Sequence, residues 1–179
     1  MFKTNLDPIE YLRMLVGINY PQFLISAFDI FYTPEDQRQQ LHTLLQHGSE
    51  NEQFILLDSG NYESYWRDNN SWNTNNFHRV LRTEPYHLAF CFDKQDEYED
   101  TKLIVKQVEA SVISSQPEAP AATVIPIVHG SQDILSEASL LITQKLHPIL
   151  LAIPERELGN GIIERSKTLF QIRKALDKT

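Results

Sequence analysis

Four apolar runs in this chain each end on residues that can do chemistry. Phe54-Ile55-Leu56-Leu57 runs into Asp58-Ser59-Gly60-Asn61-Tyr62-Glu63. His87-Leu88-Ala89-Phe90-Cys91-Phe92 ends in Asp93, and Thr123-Val124-Ile125-Pro126-Ile127-Val128 ends in His129-Gly130. Pro148-Ile149-Leu150-Leu151-Ala152-Ile153 ends in Pro154-Glu155-Arg156-Glu157-Leu158-Gly159. A carboxylate beyond a buried strand can accept hydrogen bonds from a ligand, exchange a proton with it, or cap the next helix. Asp58 and Asp93 in matching places favour a pocket over two coincident caps, and an acid/base pair of a hydrolase or isomerase is one reading of them. Gly60 allows a sharp turn or the close approach of a ligand to the backbone. His87 and Cys91 are four apart on a strand, roughly 13 Å, and cannot share a metal ion. Cys91 reads as a small buried apolar residue.

These groups need a scaffold that brings strand ends together. Strand alternates with helix along the chain, and that pattern implies parallel pairing with right-handed crossovers. A first strand is expected over 23–32. Thr33-Pro34-Glu35-Asp36 then signals a helix start, with Leu41, Leu44 and Leu45 on its apolar face and an end near Gly48. The second strand covers 54–57. A polar loop, Arg67-Asp68-Asn69-Asn70-Ser71, leads to a helix carrying Phe77, Val80 and Leu81. The third strand covers 88–92, and a long helix with Leu103, Val105, Val108, Val112 and Ile113 follows. Ser114-Ser115-Gln116-Pro117-Glu118-Ala119-Pro120 reads as a loop. The fourth strand covers 124–128 and the fifth 149–153, with a helix after each. The expected fold is α/β: a single domain over 1–179, a parallel (β/α) barrel-like sheet of about five units. A complete eight-unit barrel needs about 250 residues. The alternative is an open, doubly wound sheet. In either, ligands bind at the C-terminal ends of the strands.

Composition narrows the setting. The 179 residues carry 24 acidic and 16 basic side chains, a net charge of −8. Affinity for nucleic acid comes largely from phosphate contacts, so an acidic chain makes a poor stand-alone binder. Arg165, Lys167, Arg173, Lys174 and Lys178 bias the last helix positive, which suits the C-terminal end of a helix dipole. No apolar run approaches the roughly 20 residues needed to span a bilayer. The first residues lack a signal-peptide core. One cysteine excludes an intrachain disulfide framework. The expected compartment is the cytoplasm, without a membrane partner.

Taken in order, the strand ends resemble a known family. Leu57-Asp58-Ser59-Gly60-Asn61-Tyr62 resembles the Asp-Ser-Gly-Gly-aromatic motif of tRNA-guanine transglycosylases. Ala89-Phe90-Cys91-Phe92-Asp93 resembles that family's second base-reading strand. Ile125-Pro126-Ile127-Val128-His129-Gly130 is similar to its Ile-Val-Gln-Gly strand, and Leu151-Ala152-Ile153 with Leu158-Gly159 to the strand and loop over the base. The likeness spans roughly residues 54–175. It implies a TIM-type barrel and exchange of guanine for a 7-deazaguanine base, the pentosyl transfer that leads to queuosine-type tRNA modification.

The resemblance implies roles residue by residue. Asp58 is the acid/base group, with Ser59 beside it. Tyr62 stacks on the purine. Asp93 accepts from the ring N–H and exocyclic amine of a guanine-like edge, whose two adjacent donors suit one carboxylate. His129 stands where the family has glutamine. Gly130 offers a backbone N–H to the base carbonyl, and Leu158 and Gly159 line the pocket. Asn61 replaces a glycine, Glu63 a glutamine, and Pro154-Glu155-Arg156-Glu157 a glycine-rich segment. The family's nucleophilic aspartate lies on a strand beyond the last helix read here, and one cysteine cannot supply its three-cysteine, one-histidine zinc site. The expectation is a C-terminally incomplete member without metal or cofactor. It binds guanine or a 7-deazaguanine and performs glycosyl exchange only when the missing nucleophile segment or a partner chain, such as a second copy, completes the site. tRNA or a modified protein is the implied acceptor. The alternative is a non-catalytic 7-deazaguanine-binding or protein-interaction module. Transglycosylase-like proteins of bacterial antiviral defence operons offer a setting for it.

Overall fold

The computed structural model describes residues 7–67, 71–93, 100–119 and 123–177. Of the residues singled out above, Asp68, Asn69, Asn70, Pro120 and Lys178 lie outside the described residues. The chain forms two compact units. One contains residues 1–92 and 115–124, the other 93–114 and 125–179.

The first unit opens with α1 (Pro8–Gly17). The Asp7 side chain accepts from the amides of Ile9 and Glu10, at 2.7 and 3.3 Å, and Pro8 occupies the first turn. Both residues are standard helix-start chemistry. β1 (Gln22–Ser26) follows, and here the expected strand over 23–32 is corrected. It stops at Ser26, and residues 27–32 coil into α2 (Ala27–Tyr32). Helical spacing brings Phe28 and Tyr32 together at 4.5 Å and sets Phe28 against Trp72 at 5.6 Å. The Thr33 hydroxyl closes the turn by donating to the Asp29 carbonyl at 2.8 Å.

α3 (Glu35–Glu50) starts after Pro34, buries Leu41 and Leu45, and runs two residues beyond Gly48. β2 (Phe54–Asp58) leads to α4 (Asn61–Trp66), a short helix the sequence reading did not anticipate. α5 (Thr74–Thr83) is capped by Asn73 and buries Phe77, Val80 and Leu81. β3 (Leu88–Phe90) ends just before Cys91, which is buried.

α6 (Thr101–Ser115) leads towards β4 (Thr123–Ile125), which stops at Pro126 because proline has no N–H for a ladder. α7 (Gln132–Leu146) and α8 (Ile162–Leu176) complete the helices. In the second unit, Ile104 and Val108 of α6 pack with Val128, Leu135, Ile142 and Ile172. The expected fifth strand is reduced to one parallel bridge between Ile127 and Ala152. It rests on two hydrogen bonds, Val128 N–H to the Ala152 carbonyl at 2.9 Å and Ala152 N–H to the Pro126 carbonyl at 3.0 Å. Pro126, Pro148 and Pro154 interrupt longer pairing around it.

The sheet has four strands, all parallel, in the order β1-β2-β3-β4, alternating with helices. The register sets Ser26 opposite Asp58 and Leu57 opposite Ala89. Among the described residues no helix is long and apolar enough to cross a membrane.

Candidate functional site

In the first unit, β2 delivers Asp58 at its last position. Gly60 then turns the chain with φ +77° and α4 begins at Asn61. A Cβ on Gly60 would stand 2.5 Å from Phe28 Cβ and 2.6 Å from Phe28 N. Glycine is therefore demanded by both the left-handed backbone and the space. The Gly60 amide donates to Asp58 Oδ2 at 3.1 Å, and the Asn61 amide to Ser59 Oγ at 3.4 Å. Trp72 Nε1 donates to the Ser59 carbonyl at 3.1 Å, which pins the turn from below. Asp58 thus supports the local turn, as a capping carboxylate does. Tyr62 stands on the exposed side of α4, edge-on to Trp66 at 5.9 Å.

In the second unit, three of the charged groups beyond strand ends meet. His129 Nε2 lies 2.9 Å from Asp93 Oδ2, and its Nδ1 lies 3.2 Å from Glu157 Oε1. Asp93 and His129 side chains are each only 8% exposed, and Glu157 19%. Arg156 Nε reaches the same Glu157 oxygen at 3.2 Å. Burial by itself would push the His129 pKa down. The hydrogen bonds and charges of Asp93 and Glu157 outweigh it and raise the imidazole to about 9. The hydrogen bond from His129 is the main reason the Glu157 carboxyl falls below its ordinary range. At neutral pH the ring is an imidazolium, with both N–H groups donating to carboxylates.

Such a ring is not a general base. It fixes two carboxylates in place and leaves Asp93, His129 and Glu157 together with a net charge of −1. A carboxylate held this way is a preorganised acceptor for a ligand that brings N–H donors.

Gly130, φ +148°, packs beneath Ile104 and Ile134, where a Cβ would come within 3.1–3.2 Å of their side chains. Leu158 is buried, and its carbonyl accepts from the Thr168 hydroxyl at 2.9 Å. The Gly159 carbonyl accepts from Arg165 Nε at 3.0 Å. Gly159 has φ +121°, and a Cβ there would stand 2.6 Å from Gln132 Nε2. These contacts make the Glu157–Gly159 turn a fixed element.

Asp93 and His129 therefore come together in the second unit, with Gly130, Leu158 and Gly159 on the same unit. Asp58, Ser59 and Tyr62 belong to the first unit. Sequence reasoning placed Glu157 at a strand end but missed its pairing with His129. Two acids flanking a histidine in sequence-distant loops leave no spacing signal. Among the described residues, no group of three His, Cys, Asp or Glu is arranged to hold a metal ion. No protein-family model matches this chain, and no curated protein matches it.

Proposed function

We propose that this chain is a tRNA-guanine transglycosylase-like protein that holds a guanine or 7-deazaguanine base at the C-terminal ends of its parallel strands. The observation that carries the reading is Asp93, a nearly buried carboxylate oriented by the His129 imidazolium, which Glu157 backs in turn. A guanine edge brings two adjacent donors, and an oriented carboxylate accepts both in a charge-assisted pair. The strand order supports the same reading. All-parallel strands in the order β1-β2-β3-β4 wind one way, as in a barrel, whereas a doubly wound sheet reverses at a switch point. The roles of Asp58 as acid/base group and Tyr62 as stacking ring rest on the resemblance of their motif alone.

Calorimetry with guanine, 7-deazaguanine and adenine tests it. The unmodified chain is expected to bind the first two and not adenine, which lacks the donor pair. Asp93→Asn turns one acceptor into a donor and is expected to cost about 2–4 kcal/mol of binding. Asp58→Asn is expected to cost less, since its role lies in chemistry. Equal affinity for guanine and adenine, or no effect of Asp93→Asn in a folded variant, sinks the assignment. Base binding without glycosyl exchange is the second reading. The tie between Asp58 and the Gly60 amide favours it, because that carboxylate already serves the turn. Labelled guanine that binds but never enters tRNA selects it.

A further inference from the structure

We propose that a pocket in the first unit, between α2, α3 and α5, takes a small carboxylic acid with a compact apolar body, its carboxylate held by Arg38 and Arg79. The pocket has a volume of about 200 Å³. α3 contributes Arg38 and Leu41, α5 contributes Arg79 and Val80, and Phe31 of α2 completes the wall. Leu41 and Val80 are buried, so the floor is part of the core. Helical spacing pairs that floor with a charged rim. Arg38 stands one turn before Leu41, and Arg79 stands beside Val80 at the edge of the buried face.

The charges on the wall say what the occupant is. Arg38 Nε donates to the Thr33 carbonyl at 3.1 Å and its Nη2 to the Phe31 carbonyl at 3.2 Å, where α2 ends. Those bonds fix the guanidinium and use two of its five N–H donors, which leaves three. Among the described residues nothing pairs with the Arg79 guanidinium. Glu84 also lines the pocket, but its Oε2 lies 3.1 Å from His42 Nδ1 and its Oε1 3.2 Å from the Thr83 hydroxyl. Arg38, Arg79 and Glu84 sum to +1, in a chain whose net charge is −8. One carboxylate matches that sum, and the planar fork of a guanidinium suits its two oxygens. The second negative charge of a phosphate monoester would face Glu84. An apolar body displaces water from Phe31, Leu41 and Val80. The site goes beyond base reading by Asp93, which belongs to the other unit.

An NMR titration at pH 7 with sodium benzoate tests this, following the Arg38 and Arg79 Nε–H signals. Benzamide, sodium acetate and phenyl phosphate at matched ionic strength are the comparison probes. A saturable shift is expected with benzoate and none with benzamide, which is neutral. Binding severalfold weaker is expected with acetate, which lacks the body, and with phenyl phosphate, which carries the extra charge. Arg79→Gln is expected to weaken benzoate binding about ten-fold and to leave the urea midpoint unchanged, since that guanidinium holds nothing else in the chain. Glu84→Gln is expected to tighten benzoate severalfold by removing a facing charge, a gain that misfolding would not produce. Equal shifts with benzamide, or unchanged affinity in Arg79→Gln, overturn the proposal. Acetate or phenyl phosphate binding as tightly as benzoate overturns the class of ligand assigned.

Discussion

Replacing His129 with leucine is expected to destabilise the second unit by about 3–5 kcal/mol, because two largely buried carboxylates lose the cation that joins them. Urea denaturation at pH 7 measures it. Adding Asp93→Asn and Glu157→Gln to His129→Leu is expected to recover much of the loss, since neutral amides no longer repel. A triple variant as unstable as the single one would mean that packing of the ring, not its charge, holds the unit.

The same clamp sets a pH dependence with a definite sign. The His129 pKa is about 9 when folded, against 6.5 for the ordinary imidazole. A raised pKa gives stability that is complete below the unfolded value and lost as pH climbs through the folded one. About 3 kcal/mol is therefore expected to disappear between roughly pH 6.5 and 9. Glu157 works the other way. Its pKa lies below 4.5 in the folded chain, so its contribution fades as pH falls through the acid range. Stability is expected to plateau near pH 5–6.5 and to decline on the alkaline side. His129→Leu is expected to abolish that alkaline decline. Urea midpoints at pH 6 and pH 9.5, for both proteins, check it.

The second large effect is expected at Gly60. Alanine there carries the cost of a left-handed backbone and a Cβ driven into the Phe28 main chain. Together these amount to about 3–5 kcal/mol. The obstacle is backbone rather than a flexible side-chain tip, so little relief is available. Thermal denaturation of Gly60→Ala gives the number. A loss under about 1 kcal/mol would mean that α2 shifts away without resistance.

Much of this fold was legible in the sequence. Apolar runs of strand length, separated by amphipathic stretches of helix length, leave little choice but parallel βα units. β3 falls inside its expected segment, β2 runs one residue past its own, and β4 starts one residue early and stops at Ile125. The misreadings share a cause. Residues 27–32 are apolar enough for a strand, and only the ring contacts of Phe28 with Tyr32 and Trp72 select a helix. Periodicity cannot separate the two over so short a run. The fifth strand failed where prolines limit its hydrogen bonds. α1 had a readable start in Asp7-Pro8, but the reading treated that stretch only as a question of secretion.

The site was legible in its parts and not in its connections. Asp58, Asp93 and His129 declared themselves by standing after apolar runs. That His129 joins Asp93 to Glu157 depends on three loops from distant stretches of sequence. Arg38 and Arg79 gave no signal, since single arginines on separate helices are ordinary residues.

Cys91 has a practical consequence. It is the chain's sole thiol and is 1% exposed, seated just beyond β3 in the first unit. A thiol reagent can reach it only while that region is open, so in excess reagent the labelling rate counts openings rather than surface reactivity. The natural chain is thereby its own stopwatch for one of its two units. Labelling followed as ligand or pH is varied separates events in the first unit from those around the His129 clamp, with no probe engineered in.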